Sequence, residues 1–244
     1  MIQAAQNNMS NAAAQFDMPR EAARFNMREA RFNMIEQQIR TWEVLDPKVL
    51  QLLNDVPREN FVPSEYAGLA FADIEVPIGH GQTMLQPKLE ARMLQALNVQ
   101  YHHMVLHIGT GSGYVAALLA SLAKHVVSLE INSELSAQAA HNLAQNNIKN
   151  VSLFVADGAF GRVDKVNQTF YDVIVYTASS PVEPAGVRQQ LNIGGAMLIV
   201  LGNAPVMQAT LIRRISETGF KQDVLFETCI PELANAPQVD AFEF

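Results

Sequence analysis

Three glycines at alternate positions, between an apolar run and a helical pattern of small residues, constrain this chain most: Val105-Leu106-His107-Ile108-Gly109-Thr110-Gly111-Ser112-Gly113-Tyr114. The apolar run predicts a buried strand, the glycines a tight loop, and the residues that follow a helix. Glycine adopts positive φ at little cost and leaves bare backbone for a ligand to approach. A helix starting at such a loop offers unpaired N–H groups and a partial positive charge. A turn of this kind binds the polar end of a nucleotide-like cofactor.

Spacing narrows the cofactor. A dinucleotide fingerprint is G-x-G-x-x-G. Here Tyr114 holds the sixth position, so the pattern is G-x-G-x-G. Downstream, Val126-Val127-Ser128-Leu129-Glu130 reads as a second strand ending in an acid, followed by Ile131. Glu130 lies about as far from the glycines as the ribose-binding acid of a dinucleotide fold, and a carboxylate there can accept both ribose hydroxyls. Val151 to Val155 reads as a third strand, running into Ala156-Asp157-Gly158, and Tyr171 to Tyr176 as a fourth buried strand before Thr177. In this order the features point to an S-adenosylmethionine-dependent methyltransferase. The candidate cofactor residues are Ile108, Gly109, Thr110, Gly111, Gly113, Glu130, Ile131, Asp157, Gly158 and Thr177. Asp157 is expected at the adenine amine, although Asp-Gly alone also makes a simple turn.

From Met104 onward strands and helices alternate, which predicts a doubly wound, Rossmann-like, mainly parallel sheet. Leu191 to Leu201 carries a Gly-Gly turn and a fifth strand, and Gln208–Ile215 with Gln222–Glu227 predict a closing antiparallel pair. The chain has no room for a second nicotinamide-binding half. Upstream, Lys48 to Leu53 is amphipathic and Val56-Pro57-Arg58 ends it; Pro77 to Thr83 is a glycine-punctuated loop, and Pro87 opens a helix through Leu97. Residues 1–40 divide off as an N-terminal extension and helix. Residues 41–244 form the methyltransferase domain, with 41–100 the helical, substrate-side region and 101–244 the cofactor-binding core.

In the N-terminal part Ala23-Arg24-Phe25-Asn26-Met27 recurs seven residues on as Ala30-Arg31-Phe32-Asn33-Met34, with Phe16 and Met18 a weaker third copy. Seven residues are about two helical turns, so the Phe and Met side chains are expected on one shared face. A helix is expected to start after Asp17, with Pro19 in its first turn. It either packs on its own domain or joins chains into a homo-oligomer.

A hydrophobic content of 49% over 244 residues is enough for a sizeable core, yet no apolar run reaches the length of a membrane span. No secretory signal is evident at the N-terminus. Cys229 is the only cysteine, which excludes an intrachain disulfide and fits a reducing cytoplasm; it is expected to be a small core residue. The net charge of −7 argues against a general nucleic-acid binder. No Cys/His cluster has zinc spacing, and His102-His103 reads as a loop feature, so no metal is expected.

From about Met34 to Gly202 the sequence resembles the protein-L-isoaspartate O-methyltransferases. The matching signals are Asn33-Met34-Ile35 with Gln38-Ile39, Val56-Pro57-Arg58 with Phe61-Val62-Pro63, and Ala72-Asp73 before Pro77-Ile78-Gly79. Gly81-Gln82-Thr83 with Gln86-Pro87, Ile108 to Tyr114, Asp157-Gly158, and Thr177-Ala178 before Pro181 complete the set. The resemblance implies repair methylation of isoaspartyl carboxylates in damaged proteins, with S-adenosylmethionine as cofactor and a protein or peptide as acceptor. It places Gln82 and Thr83 on the acceptor side, and Leu85 where the family has a serine against the substrate carboxylate. Three further positions depart from the family. His107 replaces a frequent acid, Ala159 replaces an aromatic, and Thr228-Cys229-Ile230-Pro231-Glu232-Leu233 replaces an Arg-Phe-Val-Pro-Leu-like strand.

Methyl transfer is an in-line displacement at a sulfonium carbon. An ionised carboxylate is already nucleophilic, so alignment suffices and no acid/base dyad is needed. An alcohol or amine acceptor would make a base useful, and His80 is the loop histidine placed for it. Two alternatives therefore stay open: a different small-molecule or protein acceptor, because Leu85 donates nothing, and a cofactor-binding module that works by association through its N-terminal helix. His107 is expected to be a half-buried strand residue bonding the glycine loop.

Overall fold

A computed structural model of the chain describes residues 20–162 and 170–238, with the side chains of residues 20–25 left out. The expected helix start at Asp17 and Pro19, the third repeat copy at Phe16 and Met18, and the Phe25 side chain lie outside what is described. The described helices are α1 (Arg20–Met34), α2 (Pro47–Asp55), α3 (Pro87–Leu97), α4 (Tyr114–Leu122) and α5 (Ser133–Gln145). The strands are β1 (Val76–Gly79), β2 (Gln82–Met84), β3 (Met104–Ile108), β4 (His125–Glu130), β5 (Val151–Val155), β6 (Tyr171–Ser180), β7 (Leu191–Asn203), β8 (Val206–Arg214) and β9 (Phe220–Thr228).

Seven strands form one sheet in the order β5-β4-β3-β6-β7-β8-β9, and β1 pairs with β2 in a separate hairpin. Pairing is parallel from β5 through β7 and antiparallel for β8 and β9. This is the expected mainly parallel sheet with its closing antiparallel pair. Strand β3 lies in the middle, and Val105 to Ile108 are all buried, because a parallel strand covered on both faces is apolar along its length. Since β4 and β6 flank β3, the carboxyl ends of β3, β4, β5 and β6 open onto one edge of the sheet, and the order of the strands reverses there. In open α/β sheets, ligands bind in that crevice.

The alternation of strand and helix holds from β3 to β5. Beyond Val155 no further α-helix occurs among the described residues; Gly158, Gly161, Pro181, Pro184 and Gly186 break up the connections, and only a 3₁₀ turn at Arg188–Gln190 precedes β7. Gly194-Gly195 is not a turn before the fifth strand. Both glycines lie within β7, where the register with β6 shifts between Tyr171 and Val173. Gly194 takes φ +88°, and a Cβ on Gly195 would come within 2.9 Å of the Asp172 carbonyl oxygen, so the pair forms a bulge.

The repeat in α1 does not present one shared face. Met34 is buried, and Met27 packs against the core, whereas Phe32 is 60% exposed. Phe and Met are two positions apart within each copy, and two residues turn a helix by about 200°, so the two stripes point in opposite directions. The Met stripe caps the chain's own core, held by Arg31, which donates to the Asn54 carbonyl at 2.9 Å and pairs with Glu59. Cys229 is exposed, not a core residue: it follows the last residue of β9, the edge strand of the sheet.

Candidate active site

The glycine loop leaves the end of β3 with all three glycines at positive φ: Gly109 at +92°, Gly111 at +53° and Gly113 at +87°. At Gly109 the close approach is severe, since a Cβ would meet Thr177 Oγ1 at 2.8 Å. The loop is tied to β4 by two N–H groups, from Gly109 and Thr110, which both donate to the Leu129 carbonyl at 3.0 and 3.2 Å. Gly113 then caps the start of α4.

Glu130 ends β4 facing this loop and is nearly buried. Its Oε2 accepts from the Gly111 N–H at 2.8 Å and its Oε1 from the Asn132 N–H at 3.0 Å. Both oxygens are thereby oriented, and each keeps a lone pair for a further donor. The Asn132 side chain in turn caps α5 by accepting from the N–H groups of Glu134 and Leu135. At the end of β5, Asp157 Oδ1 accepts from the Ala159 N–H and Oδ2 from the Asn235 side-chain amide, both at 2.9 Å. Ile108, Thr110, Ile131, Gly158 and Thr177 line the same cleft, so every cofactor residue expected from the sequence except Gly113 is a lining residue. Gly113 sits behind the loop, where a Cβ would press on Ala139 at 3.2 Å.

The β1–β2 hairpin leans over the cleft. Residues 79–81 all take positive φ, and Ile78 Cδ1 comes within 3.2 Å of where a Cβ on Gly111 would be. His80 reaches Glu134 across the mouth, Nε2 to Oε2 at 3.2 Å. Gln82, Thr83 and Leu85 line the cleft on the hairpin side. The Thr83 hydroxyl donates to Glu75 Oε2 at 3.1 Å, so it braces its own hairpin. Leu85 presents a buried aliphatic wall. Among the described residues no group of three or more His, Cys, Asp or Glu side chains is placed to hold a metal ion.

One buried ion pair beside the cleft, Arg58 with Glu90, escaped the sequence reading. Arg58 is 1% exposed and its guanidinium meets three elements: Nε donates to the Ala70 carbonyl at 2.9 Å, Nη2 to the Leu85 carbonyl at 2.7 Å, and Nη1 to Glu90. Its face also lies 5.0 Å from the Tyr114 ring centre. Arg58 therefore fixes the backbone at Leu85. Burial pushes the Glu90 carboxyl up to about 7, against the opposing pull of Arg58. The available signal was an acid within the apolar stripe of α3, beside Leu89, Ala91, Met93 and Leu94, which demands a buried cation.

His107 is wholly buried, not half-buried, because β3 is covered on both faces. Its ring bonds the side chains of two neighbouring strands: Ser128 Oγ lies 2.9 Å from Nδ1 and Thr177 Oγ1 3.2 Å from Nε2. Burial pulls its pKa down from 6.5 to about 3, so the imidazole is neutral.

Residues 29–231 match the protein-L-isoaspartate(D-aspartate) O-methyltransferase family. A protein-L-isoaspartate O-methyltransferase of Marinobacter nauticus is 39% identical over 198 residues, covering 81% of this chain and 89% of the relative. One from a Synechococcus strain is 41% identical over 175 residues, covering 72% of this chain and 70% of the relative. A Plasmodium falciparum structure of the same family name, in complex with S-adenosyl-L-homocysteine, superposes with a TM-score of 0.71 at 20% identity and covers 85% of this chain and 97% of that one.

Proposed function

The chain belongs to the protein-L-isoaspartate O-methyltransferase family, and we propose that it methylates isoaspartyl carboxylates in damaged proteins and peptides, using S-adenosylmethionine. It is a methyltransferase of the class I fold. The observation that carries the reading is the pairing of the glycine cradle with an oriented acid: Glu130 is held by Gly111 and Asn132 at the carboxyl end of β4.

The residues present fit the cofactor. The cleft is closed to a side chain at Gly109, and bare backbone is what a methionine tail needs at close range. Glu130 would accept the ribose hydroxyls, and Asp157 with Gly158 and Ile131 would flank the adenine. Thr177 and Ile108 form the floor beneath the glycine loop. When bound, S-adenosylmethionine would supply a methyl group on a sulfonium, with the sulfur as leaving group that would keep the electron pair of the carbon–sulfur bond. The chain's own residues align and desolvate. The hairpin residues Gln82 and Thr83 face the acceptor, and Arg58 holds the Leu85 carbonyl so that the loop keeps its place. A carboxylate acceptor needs no base, and His107, neutral and enclosed, does not act as one.

Leu85 supports a second reading, a different protein or small-molecule acceptor. A carboxylate entering the cleft sheds water, and leucine returns no hydrogen bond. Methyl transfer to an isoaspartyl peptide, compared with its normal aspartyl isomer, separates the two readings. A reducing cytoplasm is our reading of the compartment, resting on the single cysteine. No described helix is long and apolar enough to cross a membrane. The contacts of α1 with the chain's own core favour an intramolecular cap over a homo-oligomer interface.

A further inference from the structure

We infer that His107 is the positioning residue of the cofactor loop: its imidazole closes a one-way ring of hydrogen bonds that begins and ends on the adjacent loop residues Gly109 and Thr110. The inference rests on the cofactor reading above and adds a residue to it.

The direction of the ring follows from counting protons. Thr177 has one hydroxyl proton, and its closest acceptor is the Gly109 carbonyl at 2.6 Å, with the Ile108 carbonyl at 3.1 Å. With that proton committed, Thr177 Oγ1 can only accept from His107, so Nε2 carries the ring proton. Nδ1 is then a bare acceptor, and Ser128 donates to it at 2.9 Å. The Ser128 oxygen is left to accept, and Thr110 donates to it at 2.6 Å. The run is Thr110 to Ser128 to His107 to Thr177 to Gly109, and the Gly109–Thr110 peptide closes it.

His107, Ser128 and Thr177 come from β3, β4 and β6, so the ring ties the loop across three strands. It engages the Gly109 carbonyl and the Thr110 hydroxyl, two groups of the cofactor loop. His107 and Ser128 are wholly buried, so neither can replace a lost partner with water. A side chain at 107 must therefore offer one donor and one acceptor on opposite sides. Neutral histidine does so, and burial keeps it neutral.

The test uses the full chain with S-adenosylhomocysteine as the probe. A long-range proton–nitrogen NMR spectrum of the unmodified protein at neutral pH should show His107 protonated at Nε2 and bare at Nδ1. By calorimetry His107→Leu, which takes the partner from both Ser128 and Thr177, should weaken the probe about tenfold, or about 1.4 kcal/mol. His107→Gln should restore binding to within about threefold, because an amide supplies a donor and an acceptor. The cofactor KM should rise in His107→Leu while kcat at saturation holds. Ser128→Ala, which removes the donor to Nδ1 outside the cleft, should move affinity the same way and serves where His107→Leu does not fold. A proton on Nδ1, a His107→Leu protein that binds like the unmodified one, or a glutamine no better than leucine overturns the inference. Failure of the unmodified protein to bind the probe would instead overturn the cofactor reading.

Discussion

Acidification should unload stability through His107 in a way that can be isolated. Its folded pKa is about 3 and its ordinary value 6.5. Above 6.5 the ring is neutral in both states and costs nothing. Below 6.5 the unfolded chain takes up a proton that the folded chain refuses, so stability falls as pH falls, until about 3. Each unit is worth 1.36 kcal/mol, so the group removes about 2 kcal/mol between pH 6.5 and 5 and about 5 kcal/mol by pH 3. Against a typical total of about 5–15 kcal/mol this is a large share. The assay is urea unfolding at several pH values between 7.5 and 5, run on the unmodified chain and on His107→Gln. Every group common to the two proteins cancels in the difference. The gap between the two proteins should shift by about 2 kcal/mol toward the glutamine variant as pH drops to 5. Parallel pH profiles would refute the reasoning, because they would mean that His107 binds its proton as readily folded as unfolded.

Glu130→Ala should weaken S-adenosylhomocysteine at least tenfold by calorimetry, since each charge-assisted bond lost costs about 1.5–3 kcal/mol, and NADH should not bind in the same titration. Arg58→Met should destabilise the fold by about 3–5 kcal/mol in thermal or urea unfolding, because Glu90 is left as an unpaired buried acid; Arg58→Met combined with Glu90→Leu should recover most of it. Leu85→Ser should raise kcat/KM for an isoaspartyl peptide roughly ten- to a hundredfold, the worth of one hydrogen bond to a charged group at the transition state.

The parallel sheet was legible in the sequence because its signals are local. Apart from His107, Val105 to Ile108 and Val173 to Tyr176 are apolar without alternation, as a strand buried on both faces requires. The glycine loop and Glu130 were legible for the same reason: their spacing is fixed by one strand–loop–helix–strand unit. What failed was long-range. The phenylalanines and methionines of α1 repeat with the same period, and only the packed core decides which stripe faces inward. Gly194-Gly195 looks like a turn until β6 supplies the partner that makes it a bulge. Arg58 and Glu90 are 32 residues apart, and nothing in either segment alone names the other. His107 read as a strand residue; its two partners, Ser128 and Thr177, come from strands that pair with β3 only in the folded sheet.

The most direct test of the account is methyl transfer from labelled S-adenosylmethionine to a pair of peptides that differ only in an isoaspartyl or a normal aspartyl linkage. The account predicts a base-labile methyl ester on the isoaspartyl peptide, S-adenosylhomocysteine released in equal amount, and no ester on the aspartyl isomer. Tight cofactor binding with no ester on either peptide, in the unmodified protein and in Leu85→Ser alike, would contradict it and assign the cleft to another acceptor.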